Sequence, residues 1–218
     1  FASQVTLEAT AAAGPQLVAF QRPAAPPVAS VHPREADDVR LLRDYRLRQG
    51  AKSFRIVRGD LHRHSELSLD LGGSADGSLI DFYRYMIDAA SMDLGAITDH
   101  QMGGGNDYWF WYTQKSTDLF HWAPGYTALY GYERSATYPN GHRNIFHARR
   151  GVPVVDFFTK ASLRTLRPPV GANSDFLLEN DTRLLYAALR ESGGIAISHT
   201  STTRMGTDWR DNDPQLEP

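Results

Sequence analysis

Two histidines, His62 and His64, stand two positions apart at the end of the run Phe54-Arg55-Ile56-Val57-Arg58-Gly59-Asp60-Leu61-His62. On a β-strand, residues two apart point to the same side, so both imidazoles can face one cation. Asp70 follows in a Gly- and Ser-containing loop that could bring its carboxylate round to a second ion. Further along, Thr98-Asp99-His100 follows the apolar Gly95-Ala96-Ile97, Glu133 lies in Gly131-Tyr132-Glu133-Arg134, His142 lies in Asn140-Gly141-His142-Arg143-Asn144, and His199 closes Ile195-Ala196-Ile197-Ser198-His199. A carboxylate among histidines can bridge two cations. The sequence contains no cysteine, so a metal ion must be held by His, Asp and Glu, a set that suits zinc, manganese and iron equally.

Each of these positions also has a plainer reading. Asp60 either accepts a hydrogen bond from a ligating imidazole, fixing its tautomer, or caps a turn at a strand end. Asp99 either orients His100 or starts a solvent-facing loop. Glu133 either bridges metal ions or forms an ordinary pair with Arg134. His142 is favoured over His147 because it lies nearer the Asn-Gly turn, and His147 reads as a packed strand residue. His32 and His121 read as structural or surface residues. Arg63, Arg134 and Arg143 adjoin the candidates and could clamp an anionic substrate, although on a strand they should point away from their histidine neighbours. The run Tyr108-Trp109-Phe110-Trp111-Tyr112 reads first as core and helix packing, and second as a cleft wall.

The elements that must position these residues alternate. Strands are expected over 54–62, 94–98, 126–133, 143–148 and 195–199. Ser78 should cap a helix to about Asp93, with Leu79, Phe82, Tyr83, Met86, Ile87 and Ala90 on one face. Asp181 should cap another through Leu184, Leu185, Ala188 and Leu189, stopped by Gly193-Gly194. Strands alternating with helices imply a mainly parallel sheet, and the polar candidates fall at strand ends, where an α/β barrel gathers its active site. A flat dinucleotide-binding sheet does not explain ligands from four separate strands or the absence of GxGxxG. Residues 1–52 read as an extension: two short strands (Val5–Leu7 and Gln16–Phe20), a linker punctuated by Pro15, Pro23, Pro26, Pro27 and Pro33, and a charged stretch over 36–49 that fits a short helix or an edge strand.

The totals bound the rest. With 218 residues, 41% hydrophobic and 22% charged, the chain can bury one sizeable core. A net charge of -2 gives no general affinity for nucleic acid or an anionic membrane. Nothing approaches a membrane-spanning apolar run, so a soluble protein of undetermined compartment is expected. Only Lys52, Lys115 and Lys160 are lysines among 23 basic residues, which fits a GC-rich coding bias or a use of arginine for anions. The chain begins with Phe1, which suggests an upstream start.

His62-x-His64 with Asp70, Thr98-Asp99-His100, Glu133, His142 and Ser198-His199, in this order, resemble the motifs of the polymerase and histidinol phosphatase (PHP) superfamily. The strings Gly59–His64, Gly131–Ser135 and Gly141–Asn144 resemble an uncharacterised PHP-like subgroup. The resemblance covers residues 53–218. It implies a distorted seven-stranded β/α barrel, up to three divalent ions and hydrolysis of phosphoesters. Carried over by position, His62, His64 and Glu133 would hold the first ion, Glu133, His142 and His199 the second, and Asp70 with His100 the third. Water activated by the cations would attack phosphorus in a small anionic substrate. Glu133, Asp99 and Arg143 are the expected catalytic residues.

One motif departs from the pattern. The superfamily ends on an Asp-x-His pair, and nothing after His199 matches it; Asp208, Asp211 and Asp213 lack such a partner. The final Gln215–Pro218 reads as a chain interrupted before its next strand. A fragment, a second polypeptide completing the barrel, or loss of the third site would each account for this. Two rival functions stand beside the phosphoesterase: an amidohydrolase-like cleavage of C–N or lactone bonds, for which no lysine lies near a strand end, and a non-catalytic metal-binding scaffold.

Overall fold

The computed structural model describes residues 32–68, 77–101, 107–152, 154–155, 181–201 and 205–218. The chain divides into two units, Phe1–Tyr45 and Arg46–Pro218. The expected strands over 5–20, most of the proline-punctuated linker, Asp70 and the loop over 159–180 lie outside the described residues.

Within the first unit, helix α1 spans Glu35–Asp44. Glu35, Asp37 and Asp38 occupy its first turn and Arg43 its last, the charge order that complements a helix dipole. Both readings of residues 36–49 are realised in succession. After α1 the chain extends into β1 (Leu47–Gln49), turns at Gly50 in the left-handed region (φ +60°), and returns as β2 (Lys52–Phe54).

The long strand expected over 54–62 is broken. β2 ends at Phe54 and the next strand, β3, holds only Gly59–Asp60. Pairing with the following strand begins where Arg58 exchanges bonds with Asp93: Arg58 N–H donates to Asp93 Oδ2 (2.9 Å) and Asp93 N–H donates to the Arg58 carbonyl (2.8 Å). β3 lies parallel to β4 (Leu94–Gly95), and β4 parallel to β5 (Thr127–Ala128). Gly95 is required by close approach: a Cβ there would stand 2.3 Å from the Tyr126 hydroxyl and 2.5 Å from Met86 Sδ.

Helix α2 (Leu79–Arg84) is capped by Ser78, whose hydroxyl accepts from Asp81 N–H (3.1 Å), and continues as a π-helical turn, Tyr85–Ala89. Its Leu79, Tyr83 and Met86 pack with Ile97, Tyr126 and Ala128 to form the core of this parallel layer. Helix α3 (Asp107–Phe120) carries the aromatic run. Phe110 and Tyr112 pack inward, whereas Tyr108, Trp109 and Trp111 are exposed, so only part of that run is core.

The third sheet corrects the expectation of a mainly parallel arrangement. β6 (Tyr130–Ser135), β7 (His142–His147) and β8 (Ile195–Ser198) are antiparallel throughout, in the order β6-β7-β8. The β6–β7 connection is a six-residue loop over 136–141 rather than a two-residue Asn-Gly turn; Asn140-Gly141 close it, with Gly141 at φ +69° and Thr207 packed where a side chain would stand. One face of this sheet packs Tyr132, Ile145 and Ala196 on α4 (Asp181–Ser192) through Leu185, Tyr186 and Leu189, with Leu216 completing the cluster. Among the described residues the strands form three separate sheets, with no closed barrel. No helix among them is long and apolar enough to cross a membrane.

Candidate metal centre

Alternation along β6 and β7 sorts their side chains onto two faces. Cross-strand partners share a face, so the register Glu133↔Asn144 and Ser135↔His142 puts these four together, opposite the face of Tyr132, Arg134, Arg143 and Ile145. The parallel layer reaches the first face through an isolated bridge between His100 and Glu133, where Glu133 N–H donates to the Asp99 carbonyl and Gln101 N–H to the Glu133 carbonyl. His199 follows β8. Because β7 and β8 run in opposite directions, the start of β7 and the end of β8 lie at the same sheet end, and His199 N–H donates to the His142 carbonyl (3.3 Å).

The result is one carboxylate surrounded by imidazoles. Glu133, 1% exposed, has Oε2 3.0 Å from His64 Nε2 and 3.9 Å from His62 Nδ1. Its Oε1 lies 2.5 Å from His142 Nδ1 and 3.4 Å from both His100 Nδ1 and His199 Nε2. The His62 ring packs 4.2 Å from that of His199, and the His64 ring 4.6 Å from that of His100. Among the described residues, two groups have ligand atoms within 4.8 Å of one another: His62, His64 and Glu133, and His100, Glu133 and His142. Glu133 belongs to both. The second grouping differs from the set implied by resemblance: His100 joins Glu133 and His142, while His199 stands beside His62 and Glu133 Oε1.

The electrostatics follow from this packing. Burial alone would raise the Glu133 pKa, but the adjoining imidazoles of His142, His199, His64 and His100 outweigh it, holding the carboxyl well below the usual range. Burial lowers the pKa of His62, and the neighbouring His199 lowers it further, favouring the neutral form that can coordinate. Neutral imidazoles with one carboxylate are a donor set for borderline divalent cations. Buried Glu133 Oε2 has no hydrogen-bond partner, an acceptor facing two imidazoles with nothing yet satisfying it. The residues therefore fit a metal ion.

Two of the expected catalytic residues stand elsewhere. Arg143 is fully buried on the opposite face, where Nε donates to Glu217 Oε2 (2.9 Å), so it does not face the cluster. Alternation along β7 dictates this, since His142 and Asn144 take the cluster side. Asp99 does not orient the His100 ring. Its Oδ1 accepts from Ser65 N–H (2.5 Å) and its Oδ2 from the Ser65 hydroxyl (2.7 Å), fastening the loop after His64. Burial raises the Asp99 pKa against the pull of those two bonds. Asp60 takes its plainer role, accepting from His62 N–H (3.0 Å) and pairing with Arg63. Arg134 is also engaged away from the cluster, gripping Asp181 through two 2.6 Å bonds. His147 is buried at the far end of β7, and His121 approaches the Ala128 carbonyl.

The residues that hold the imidazoles carry a fainter signal. His62 Nδ1 lies 2.9 Å from Asn144 Nδ2 and 3.3 Å from Asn144 Oδ1, and Asn144 also donates to the Leu61 carbonyl (2.8 Å). His64 Nδ1 lies 2.7 Å from the Ser68 hydroxyl, and His100 Nδ1 2.5 Å from that of Ser135. Each is a small polar residue two or four positions from a ligand candidate, which is the only mark the sequence offers.

No family model matches this chain, and no curated protein does. A solved structure that it resembles is a two-domain protein from Bacteroides vulgatus ATCC 8482, described as containing a predicted PHP-like metal-dependent phosphoesterase. The two are 14% identical with a TM-score of 0.35, over 65% of this chain and 34% of the other. This chain thus spans about a third of that protein's length. A likeness of this extent leaves the site to be read from its own geometry.

Proposed function

We propose that this chain carries the metal centre of a hydrolase that cleaves phosphoesters. The observation that carries the reading is Glu133, whose two oxygens face two overlapping groups of imidazoles. His62 and His64 would hold one divalent ion with Glu133, and His100 and His142 a second, with His199 beside both. Such a pair, when bound, supplies Lewis acidity and eases proton loss from water.

Charge chooses the substrate class. Two divalent cations would bring four positive charges and Glu133 one negative, while the imidazoles bring none. No other carboxylate among the described residues joins these groups. A site so strongly positive favours an anion, and a phosphoester supplies both the charge and the oxygens to meet it. The chain's own cations do not compete, because Arg63, Arg134 and Arg143 are paired with Asp60, Asp181 and Glu217. Cleavage of C–N or lactone bonds is the less favoured chemistry: among the described residues the lysines are Lys52, exposed on β2, and Lys115, exposed on α3 beside the Trp111 ring. The PHP-type barrel belongs to the same reading, with further strands or ligands supplied by a second chain or another segment.

The test is metal content followed by a substrate panel. The protein, loaded with zinc or manganese and desalted, is expected to retain metal and to hydrolyse simple phosphoesters, and His64→Ala should lose at least about a hundredfold in kcat/KM. Failure to retain metal would sink the proposal, as would amine release in place of phosphate release. Metal retained without turnover on any substrate would return the chain to the scaffold reading.

A further inference from the structure

We infer that Ser68 is a positioning residue for the metal centre, fixing the tautomer of His64 and tying together the segments that bear His64 and His100; this rests on the metal-centre reading above. Ser68 is 2% exposed. Its hydroxyl accepts from the backbone N–H of His100 (2.9 Å) and stands 2.7 Å from His64 Nδ1. The donors can be counted. A backbone N–H only donates, so one lone pair of the Ser68 oxygen is committed to His100. His64 Nε2 is the ring atom turned toward Glu133 Oε2, at 3.0 Å, and is therefore the atom to meet a cation there. A neutral imidazole with a metal on Nε2 carries its proton on Nδ1, and that proton points at the second lone pair of Ser68. The same oxygen thus serves a ligand of one group and the backbone of a ligand of the other. Ser68 is itself held by its N–H, which donates to the Ser65 carbonyl (3.0 Å), and Ser65 is in turn fastened to Asp99. His64, Ser65, Ser68, Asp99 and His100 form one bracket across the two strand ends.

The experiment compares wild type, Ser68→Ala and Ser68→Thr by chelator-competition affinity for zinc. It also follows the His64 Nδ1–H resonance of the zinc-loaded protein by nitrogen-15 NMR. Ser68→Ala should bind zinc ten- to a hundredfold more weakly, the range for loss of a partner that orients a ligand. Ser68→Thr, which keeps the hydroxyl, should recover most of that loss. In wild type the His64 proton should reside on Nδ1 and be protected from exchange, and Ser68→Ala should lose the protection. Unchanged affinity in Ser68→Ala, or a proton on Nε2 in zinc-loaded wild type, overturns the assignment of Ser68 alone. A wild-type protein that binds no zinc overturns the metal reading and this inference with it. Should Ser68→Ala fail to fold, the wild-type tautomer and the Ser68→Thr affinity still decide the matter.

Discussion

Histidines on the two faces of β7 experience opposite fates. His142 faces a carboxylate. His147, five residues on, is buried with neither ring nitrogen hydrogen-bonded, and its Cε1 lies so near Gly194 that a Cβ there would meet it at 2.3 Å. Burial and the adjacent Arg149 lower the His147 pKa from its ordinary 6.5. The folded protein therefore prefers the neutral ring, and the unfolded chain takes up a proton first as pH falls. His147's contribution is fully present above about pH 6.5 and is lost as pH drops from there toward the depressed folded value, with a slope of at most about 1.4 kcal/mol per pH unit. His147→Leu should flatten that acid-side slope, read from urea midpoints at pH 7.5, 6.5 and 5.5. Some slope should remain, because His62 is depressed in the same direction. An identical profile in the variant would show that His147 does not titrate with folding.

At the scale of elements, the antiparallel sheet places Arg134 directly opposite Arg143 on its covered face. Like charges in that position repel, and both are buried. Each has its own carboxylate: Asp181 from the first turn of α4 holds Arg134 in a fork, and Glu217 from the C-terminal segment takes Arg143 while also accepting from Tyr186 and from Ser198 N–H. Asp181→Ala should therefore cost about 3–5 kcal/mol, because it strands a buried guanidinium. Pairing it with Arg134→Met should restore a large part. Denaturant unfolding of both variants checks this, and equal losses would place the cost in helix capping instead. These pairs also keep the arginines off the metal face, the direction that strand alternation beside His142 already implies for Arg143. Other local devices are legible because one residue type suffices for each: the Ser78 cap and the strand-end histidines; Asn140-Gly141 marks the right place but closes a longer loop. The antiparallel entry of β8 is not legible, since direction depends on the path from β7 rather than on any residue in Ile195–Ser198. Nor is the bond from Asp99 to Ser65, which is set by three-dimensional approach across 34 positions.

Across the Arg46–Pro218 unit, the imidazoles come from two of the three sheets. His62, His64 and His100 follow strands of the parallel layer, while Glu133, His142 and His199 belong to the antiparallel one. In the unfolded chain these ligands are far apart, so a cation that needs the cluster binds only the folded state, and its binding free energy adds to stability. Zinc at a hundredfold excess over its Kd should add about 2.7 kcal/mol, or about 5–10 °C in Tm for a chain of this size. Because the ion would join the two layers, amide exchange should slow together at the ends of β4, β6 and β8 and change little in β1 and β2. Glu133→Gln keeps the shape but removes the charge shared by both groups, and should abolish most of the zinc-dependent shift. The shift should also shrink below about pH 6, where protons compete with the metal for imidazole nitrogen. A Tm indifferent to zinc, or an equal shift in Glu133→Gln, would mean that the two layers are held by packing alone and that Glu133 does not carry the site.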